Sequence, residues 1–331
     1  MGLGRPVRLR RPAVRPVRLP RAAPRRRVVR DRHLHRRPHR RHHRLRRRPH
    51  PHVPVGRRPR RPRRTLVSVD PLDVLGDRTW LVLTGAGVST DSGIPDYRGP
   101  GSTPRTPITY QEFVRTVEGR QRYWARSHVG WTRMWHADPN ATHHALVALQ
   151  DAGRLTGLIT QNVDGLHEQA GHRDVIDLHG RIDRVVCLGC REITTRAALH
   201  ERLTALNPGF EQRTGELAPD GDVVLRETDD FVVAPCRTCG GDLKPDVVFF
   251  GENVPKERVE RSYALVAEAE ALVVLGSSLH VMSGLRFVKA AHQRGIPIVI
   301  VNRGTTRGDP LATHKVDAGV AETLATSLRF V

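Results

Sequence analysis

The sequence predicts an α/β fold, a parallel sheet wrapped by crossover helices, with a smaller module inserted into it. Three observations carry this reading. From Thr79 onward, short apolar runs rich in β-branched residues alternate with stretches of helical spacing. Run after run ends in small or polar residues. Late in the chain, two Cys-x-x-Cys pairs bracket 45 residues.

The apolar runs are residues 80–83, 158–159, 175–178, 272–275 and 298–301. Helical spacing lies between several of them. Ala145, Leu146 and Leu149 follow Pro139, Val259, Tyr263 and Val266 follow Pro255, and Leu285, Phe287, Val288 and Ala291 precede Gly295. Alternation of this kind favours parallel strands joined by crossover helices. The run endings say more. They are Gly85-Ala86-Gly87, Gln161-Asn162-Val163-Asp164, His179-Gly180, Gly276-Ser277-Ser278 and Asn302. The carboxyl edge of an open α/β sheet is where a nucleotide sits, and five such endings together point to a site. No apolar run approaches the ~18 residues of a membrane-crossing helix.

The chain has 331 residues and a formal net charge of +21, but two unlike pieces make up that average. Residues 1–64 hold 26 arginines and eleven prolines against one acid, Asp31, while the remainder has 29 basic and 33 acidic residues. Frequent prolines forbid a long helix and the charge density forbids a core, so a disordered tail is expected there. It lacks the apolar stretch of a secretory signal and the serine-rich amphipathic pattern of a transit peptide. Two readings of it stay open. One is an arm that binds nucleic-acid phosphates without sequence preference. The other is GC-rich sequence translated upstream of the true start, in keeping with 51 Arg against 4 Lys in the chain. Neither makes the whole protein a nucleic-acid binder.

The first strand ending is half of a dinucleotide fingerprint. Gly85 permits a tight turn, and Gly87 lets backbone N–H groups approach a pyrophosphate at the start of a helix. Thr90 replaces the third glycine, which counts against a hydride-transfer dehydrogenase, and an ordinary βα turn remains the alternative. Any helix starting near Ser89 is broken by Gly93 and Pro95. A polar loop through Asp96, Tyr97 and Arg98 should follow, able to close over a ligand or to be a plain surface loop. Cys187 and Cys190, then Cys236 and Cys239, present two thiol pairs on tight turns. Four sulfurs suit tetrahedral zinc and leave no position for substrate, so one structural zinc is expected. Redox chemistry is the rival, but thioredoxin-like sites use one pair. Four cysteines with none left over fit a reducing compartment. His179 ends a strand, where a neutral imidazole could take a proton near pH 7. His143, His144 and His167 have no comparable placement and are read as structural.

Taken together these residues resemble one family, the sirtuins. The matching segments are GAGVSTDSGIPDYRG (85–99), TQNVDGLH (160–167), LHG (178–180), GGDLKPDVVFFGE (240–252), GSSL (276–279) and IVNRG (300–304), with the paired Cys-x-x-Cys. They occur in the family's order from Thr79 to about Leu328. The cysteine spacing, the DYRG ending and the FFGENVP stretch are similar to the branch of mitochondrial lipoamidase-type sirtuins and their bacterial relatives. The resemblance implies an NAD-consuming protein lysine deacylase. Its catalytic domain would span 65–331, a discontinuous Rossmann-like domain with a small zinc module at 181–246.

The resemblance also implies roles. Gly85, Ala86 and Gly87 would cradle the pyrophosphate, and Thr90, Ile94, Pro95, Asp96, Tyr97 and Arg98 would belong to the loop closing over NAD. Gln161, Asn162, Val163 and Asp164 would shape the nicotinamide and ribose pocket. Gly276, Ser277, Ser278, Asn302, Arg303 and Gly304 would meet the adenosine half, with Val320 near the adenine. The acyl-lysine oxygen would displace nicotinamide. His179 would then act as general base toward a ribose hydroxyl, with Asn162 and Asp164 as its catalytic companions. Products would be free lysine, nicotinamide and O-acyl-ADP-ribose. Val248, Phe249 and Gly251 would form the backbone edge on which an extended acylated peptide adds as a strand.

Two other functions stand behind this one: mono-ADP-ribosyl transfer from the same NAD site, and a nucleic-acid-associated NAD-binding regulator if the basic tail dominates. The acyl group stays open. Relatives specialised for acidic chains carry a Tyr and an Arg just after the loop, and the context of Tyr110 and Arg115 does not reproduce that motif. A cytoplasmic bacterial protein without membrane attachment is expected.

Overall fold

The computed structural model describes residues 71–99, 107–216 and 218–327. The reading of residues 1–64 therefore falls outside the described residues. The large sheet has six strands, all parallel, in the order β3-β2-β1-β7-β8-β9. These are β1 (Trp80–Thr84), β2 (Leu155–Thr160), β3 (Val175–Asp177), β7 (Ala271–Leu275), β8 (Ile298–Val301) and β9 (His314–Val316). Every residue of β1, β7 and β8 is buried, the pattern of strands covered by helices on both faces. Side chains alternate between two cores. Val82, Val273 and Val299 pack with Leu146, Leu149 and Leu324 of α3 (Ala141–Asp151) and α8 (Val320–Ser327). Leu81, Leu83, Val274 and Ile300 pack on the other face with Val266 of α6 (Lys256–Glu268) and Leu285, Phe287 and Val288 of α7 (Met282–Gln293).

All three predicted crossover helices form. The face of α6 is narrower than its spacing suggested: Val266 is buried, but Tyr263 is exposed. A second expectation fails. Directly after β1, two short 3-10 turns, Ala86–Val88 and Thr90–Ser92, stand where the fingerprint would place an α-helix. Gly93 ends the second in the left-handed region at φ 82°, and Pro95 cannot continue a helical ladder. Phosphate binding on a helix N-terminus is therefore not available at this strand end.

Chain order reverses around β1, with β2 on one side and β7 on the other. In doubly wound sheets this switch point opens a crevice above the strand ends. The second, smaller sheet is antiparallel, β5-β4-β6, from β4 (Gly180–Cys187), β5 (Ile193–Thr195) and β6 (Leu243–Val247). α5 (Arg196–Leu206) follows β5 in the chain. The core beside this sheet also draws on an upstream helix. From α2 (Val117–Trp135), which follows α1 (Tyr110–Arg115), come Tyr123, Trp124, Trp131 and Met134, packed with Ile182, Leu199, Leu203 and Phe231. Trp124 Nε1 donates to the Leu243 carbonyl at 3.0 Å. The fully buried Arg196 stands 5.3 and 5.0 Å from the Trp124 and Trp131 rings. A short α4 (Leu166–Gln169) completes the helices among the described residues. Trp124→Ala removes a fully buried ring and leaves the Leu243 carbonyl unpaired. It should cost about 3–5 kcal/mol in chemical unfolding; a loss below about 1 kcal/mol would mean that α2 does not hold the module.

Candidate functional site

Strand ends meet through glycine. The Gly85 N–H donates to the Leu275 carbonyl at 3.0 Å and the Gly87 N–H to the Gly276 carbonyl at 2.9 Å. A Cβ on Gly85 would stand 2.7 Å from Ser277 Cβ, and one on Gly276 2.6 Å from Val88 N. The loops after β1 and β7 thus lie backbone against backbone. Part of the reason for these glycines is this packing, because the Gly87 N–H is used by Gly276.

Above the strand ends lies a cleft of about 1360 Å³. It is lined by every sequence-predicted cofactor residue except Pro95, which sits in the same loop but off the wall. Val248, Phe249 and Gly251 of the expected peptide edge also line it, as do Ile108, Tyr123, Pro219 and Asp220, which sequence reasoning did not single out. Tyr110 and Arg115 are not on its wall.

The polar network begins at the end of β2. The Gln161 side chain accepts from Ser277 Oγ at 2.6 Å, and the Asn162 amide donates to the Gly85 carbonyl at 3.2 Å and to Ser89 Oγ at 3.0 Å. Ser89 Oγ in turn donates to Asp164 at 2.7 Å, whose other oxygen accepts the Leu166 N–H at 3.0 Å. Burial raises the Asp164 carboxyl above its usual range, opposed by those two hydrogen bonds and by the Arg181 charge. Two sequence-predicted residues, Asn162 and Asp164, are therefore joined through Ser89, whose sequence signal is only that of a residue near a helix start.

His179 is held from both sides. Nδ1 lies 2.9 Å from the Gln161 carbonyl, which can only accept, so Nδ1 carries the proton and Nε2 is the basic nitrogen. Nε2 lies 2.8 Å from Ser283 Oγ in the first turn of α7. Burial lowers the imidazole pKa to about 4, and the Arg258 and Arg286 charges act in the same direction. Ser283 was missed because its only sequence signal is its position shortly after Gly276-Ser277-Ser278. The structural reading of His143 and His167 agrees with their burial: His143 caps α3 through the Asn140 N–H, and His167 Nε2 lies 3.0 Å from Thr84 Oγ1. His144 is exposed.

The His179 carbonyl accepts the Val248 N–H at 2.8 Å, tying the base to the expected peptide edge. Gly180 turns there at φ 81°, where a Cβ would stand 2.0 Å from the Asp246 carbonyl. The edge itself is braced by Lys244, which is buried with Nζ 3.0 Å from Glu252, 2.5 Å from the Val247 carbonyl and 4.7 Å from the Phe249 ring centre. Glu252 also accepts the Phe249 N–H at 2.9 Å, and Gln111 donates to the Gly251 carbonyl at 3.1 Å. Part of this backbone edge is thus already used within the chain.

Cys187, Cys190, Cys236 and Cys239 bring their sulfurs within 4.8 Å of one another. Two of the separations are 3.5 Å (Cys187 to Cys239) and 3.8 Å (Cys190 to Cys236). Bonds of about 2.3 Å in a tetrahedral Zn–S₄ site give sulfur–sulfur edges of about 3.8 Å, so the donor set and spacing fit. A four-cysteine cluster able to hold a metal ion is therefore present, far enough from the strand ends that none of its sulfurs lines the cleft. Chelation should lower the thermal midpoint and release one metal per chain by elemental analysis, and Cys236→Ser should do both without a chelator. A metal-free protein of unchanged midpoint would contradict a structural ion.

Residues 85–283 match the model of the Sir2 family. The chain is 59% identical over 257 residues to NAD-dependent protein deacetylase 1 of Mycobacterium avium (strain 104), covering 76% of this chain and 91% of that protein. It is 49% identical over 251 residues to the mitochondrial NAD-dependent protein lipoamidase sirtuin-4 of Bos taurus, covering 74% and 80%. A solved structure of Sir2 with a p53 peptide and NAD+ superimposes at a TM-score of 0.64 and 32% identity, covering 78% of this chain and 96% of that one. Fold, site geometry and these likenesses agree: the chain belongs to the Sir2 family, the sirtuins.

Proposed function

We propose that this protein is an NAD-dependent protein lysine deacylase that yields free lysine, nicotinamide and O-acyl-ADP-ribose. The observation that carries this is His179: a neutral imidazole, oriented by the Gln161 carbonyl, on the wall of a cleft that also holds the sheet switch point and the Val248 edge. Pockets for one small ligand run to about 300–1,000 Å³. At about 1360 Å³ this cleft has room for a dinucleotide and an acylated side chain together. Deacetylases and a lipoamidase among its relatives support the same reaction class.

Its donors suit NAD. Arg98, Arg303 and Arg307 line the cleft and offer positive charge to a pyrophosphate, and Ser89, Ser277 and Ser278 offer hydroxyls to riboses. Bound NAD supplies an electrophilic ribose carbon from which nicotinamide leaves. The protein's part is to position and to exclude water. Asn162, Ser89 and Asp164 make a pre-hydrogen-bonded wall that needs little reorganisation. His179 accepts a ribose proton. Acylated lysine enters against residues 248–251, its aliphatic stem beside Ile94, Ile108 and Phe249. Tyr110 and Arg115 are off the wall, so neither is placed to grip an acidic acyl chain, and an acetylated peptide is the first substrate to test. Zinc is the metal we assign to the four cysteines, and the cytoplasm the compartment that keeps such thiols reduced; no described helix is long and apolar enough to cross a membrane.

His179→Ala should reduce acyl transfer from an acetylated peptide by about 10²–10⁴-fold, the usual share of a positioned base. The pH profile carries the sign. His179 works as a base only when neutral, and its pKa of about 4 keeps it neutral down to mildly acid conditions. In the free enzyme the acid limb of kcat/KM should therefore fall well below pH 6.5. A limb at or above 6.5 that vanishes in His179→Ala would contradict the assigned environment, and full activity in His179→Ala would contradict the role.

A further inference from the structure

His179 Nε2 is the nitrogen that must take the proton, and its one lone pair already has a partner. Ser283 Oγ stands 2.8 Å from it and lines the cleft. This contact is built into the fold. Gly284, the next residue, packs so closely that a Cβ there would stand 2.7 Å from Gln161 Nε2. Gln161 is the residue whose carbonyl orients His179 and whose side chain is held by Ser277. One glutamine therefore sets both the imidazole and the first turn of α7, and the Ser283–His179 distance follows from that shared seat.

A neutral Nε2 in the imidazole plane accepts one hydrogen bond, and here the donor is Ser283. A substrate hydroxyl cannot reach the same lone pair while that bond stands. We infer that Ser283 is a catalytic residue that carries the proton between the substrate hydroxyl and His179, a role resting on the deacylase reading above. The transfer balances. The substrate O–H bond breaks as its proton joins Ser283 Oγ, and the Ser283 O–H bond breaks as its proton joins Nε2. Two protons shift for a net transfer of one from the substrate oxygen to Nε2, the freed electron pair on that oxygen forms its bond to the acyl carbon, and Ser283 ends as a hydroxyl whose oxygen accepts from the new imidazolium. Burial, Arg258 and Arg286 all work against that cation. No carboxylate is among the groups acting on His179, so the Ser283 oxygen and the Gln161 carbonyl are its compensation.

The test separates this role from a structural one. Displacement of nicotinamide by the acyl oxygen precedes the base step, so exchange of labelled nicotinamide into NAD reports on a folded, loaded site without the relay. In the full-length enzyme with an acetylated peptide, Ser283→Ala should lower the ratio of deacylation to exchange by about ten- to a hundredfold. Ser283→Thr, which keeps the hydroxyl, should restore the ratio to within a few-fold. Nitrogen-15 spectra of the imidazole in the ligand-free protein give a readout independent of turnover. They should show the proton on Nδ1 and a shift of the Nε2 signal in Ser283→Ala but not in Ser283→Thr. An unchanged ratio in Ser283→Ala overturns the inference, as does a proton on Nε2 in the resting protein. If the wild-type enzyme turns over no acylated peptide, the deacylase reading itself fails, and the spectra still decide whether Ser283 holds Nε2.

Discussion

Everything at the cleft depends on a contact that admits no side chain. Gly85 and Gly87 at the end of β1 meet the end of β7 through backbone atoms: the Gly85 N–H donates to the Leu275 carbonyl at 3.0 Å and the Gly87 N–H to the Gly276 carbonyl at 2.9 Å. A single Cβ on Gly85 or Gly276 would come within 2.7 Å of the opposing loop. Where the loops close to this distance, Ser277 reaches Gln161 and the Asn162 amide reaches back to Gly85, while the Gln161 carbonyl holds His179 from the neighbouring strand end. The polar network thus joins the glycine contact at a sheet switch point. Dinucleotide sites elsewhere set a helix N-terminus against the phosphate; here the chain turns in two 3-10 segments, and Arg98, Arg303 and Arg307 line the cleft.

A second constraint couples the two sheets. The His179 carbonyl takes the Val248 N–H, and Gly180 lets β4 pass 2.0 Å (from where its Cβ would be) beside the Asp246 carbonyl. His179 and the Val248 backbone are therefore tied together, with the buried Lys244 paired to the half-buried Glu252 beside them. Removing Glu252 would leave the buried Lys244 charge without that partner. The pair's value here is geometric: Lys244 Nζ donates to the Val247 carbonyl and Glu252 accepts the Phe249 N–H, which fixes the backbone on either side of Val248.

Much of this was legible in the sequence, for reasons that differ by element. Buried parallel strands write themselves as unbroken β-branched runs, so β1, β7 and β8 were plain. Paired thiols at fixed spacing point to metal-binding potential whatever the fold around them, and the four sulfurs converge into a cluster able to hold an ion. Strand-end residues converge by topology alone, which is why Gln161, His179 and Ser277 were found together. The helix start implied by the Gly85 fingerprint is replaced by 3-10 turns, and the break expected at Gly93 and Pro95 is what the chain shows. What was missed elsewhere had no local signal. The aromatic half of the small module's core comes from α2, some 50 residues upstream, and nothing in the spacing of Tyr123, Trp124 and Trp131 names its partner. Ser283 is visible only once α7 is seated on Gln161.

The most direct test of the account is a product balance on the full-length enzyme. NAD and an acetylated lysine peptide are supplied together, and nicotinamide, deacetylated peptide and O-acetyl-ADP-ribose are quantified by mass spectrometry. The account predicts equal amounts of all three, and no NAD consumption above background without the acyl group. Nicotinamide release with the peptide still acetylated and ADP-ribose attached to protein would contradict it.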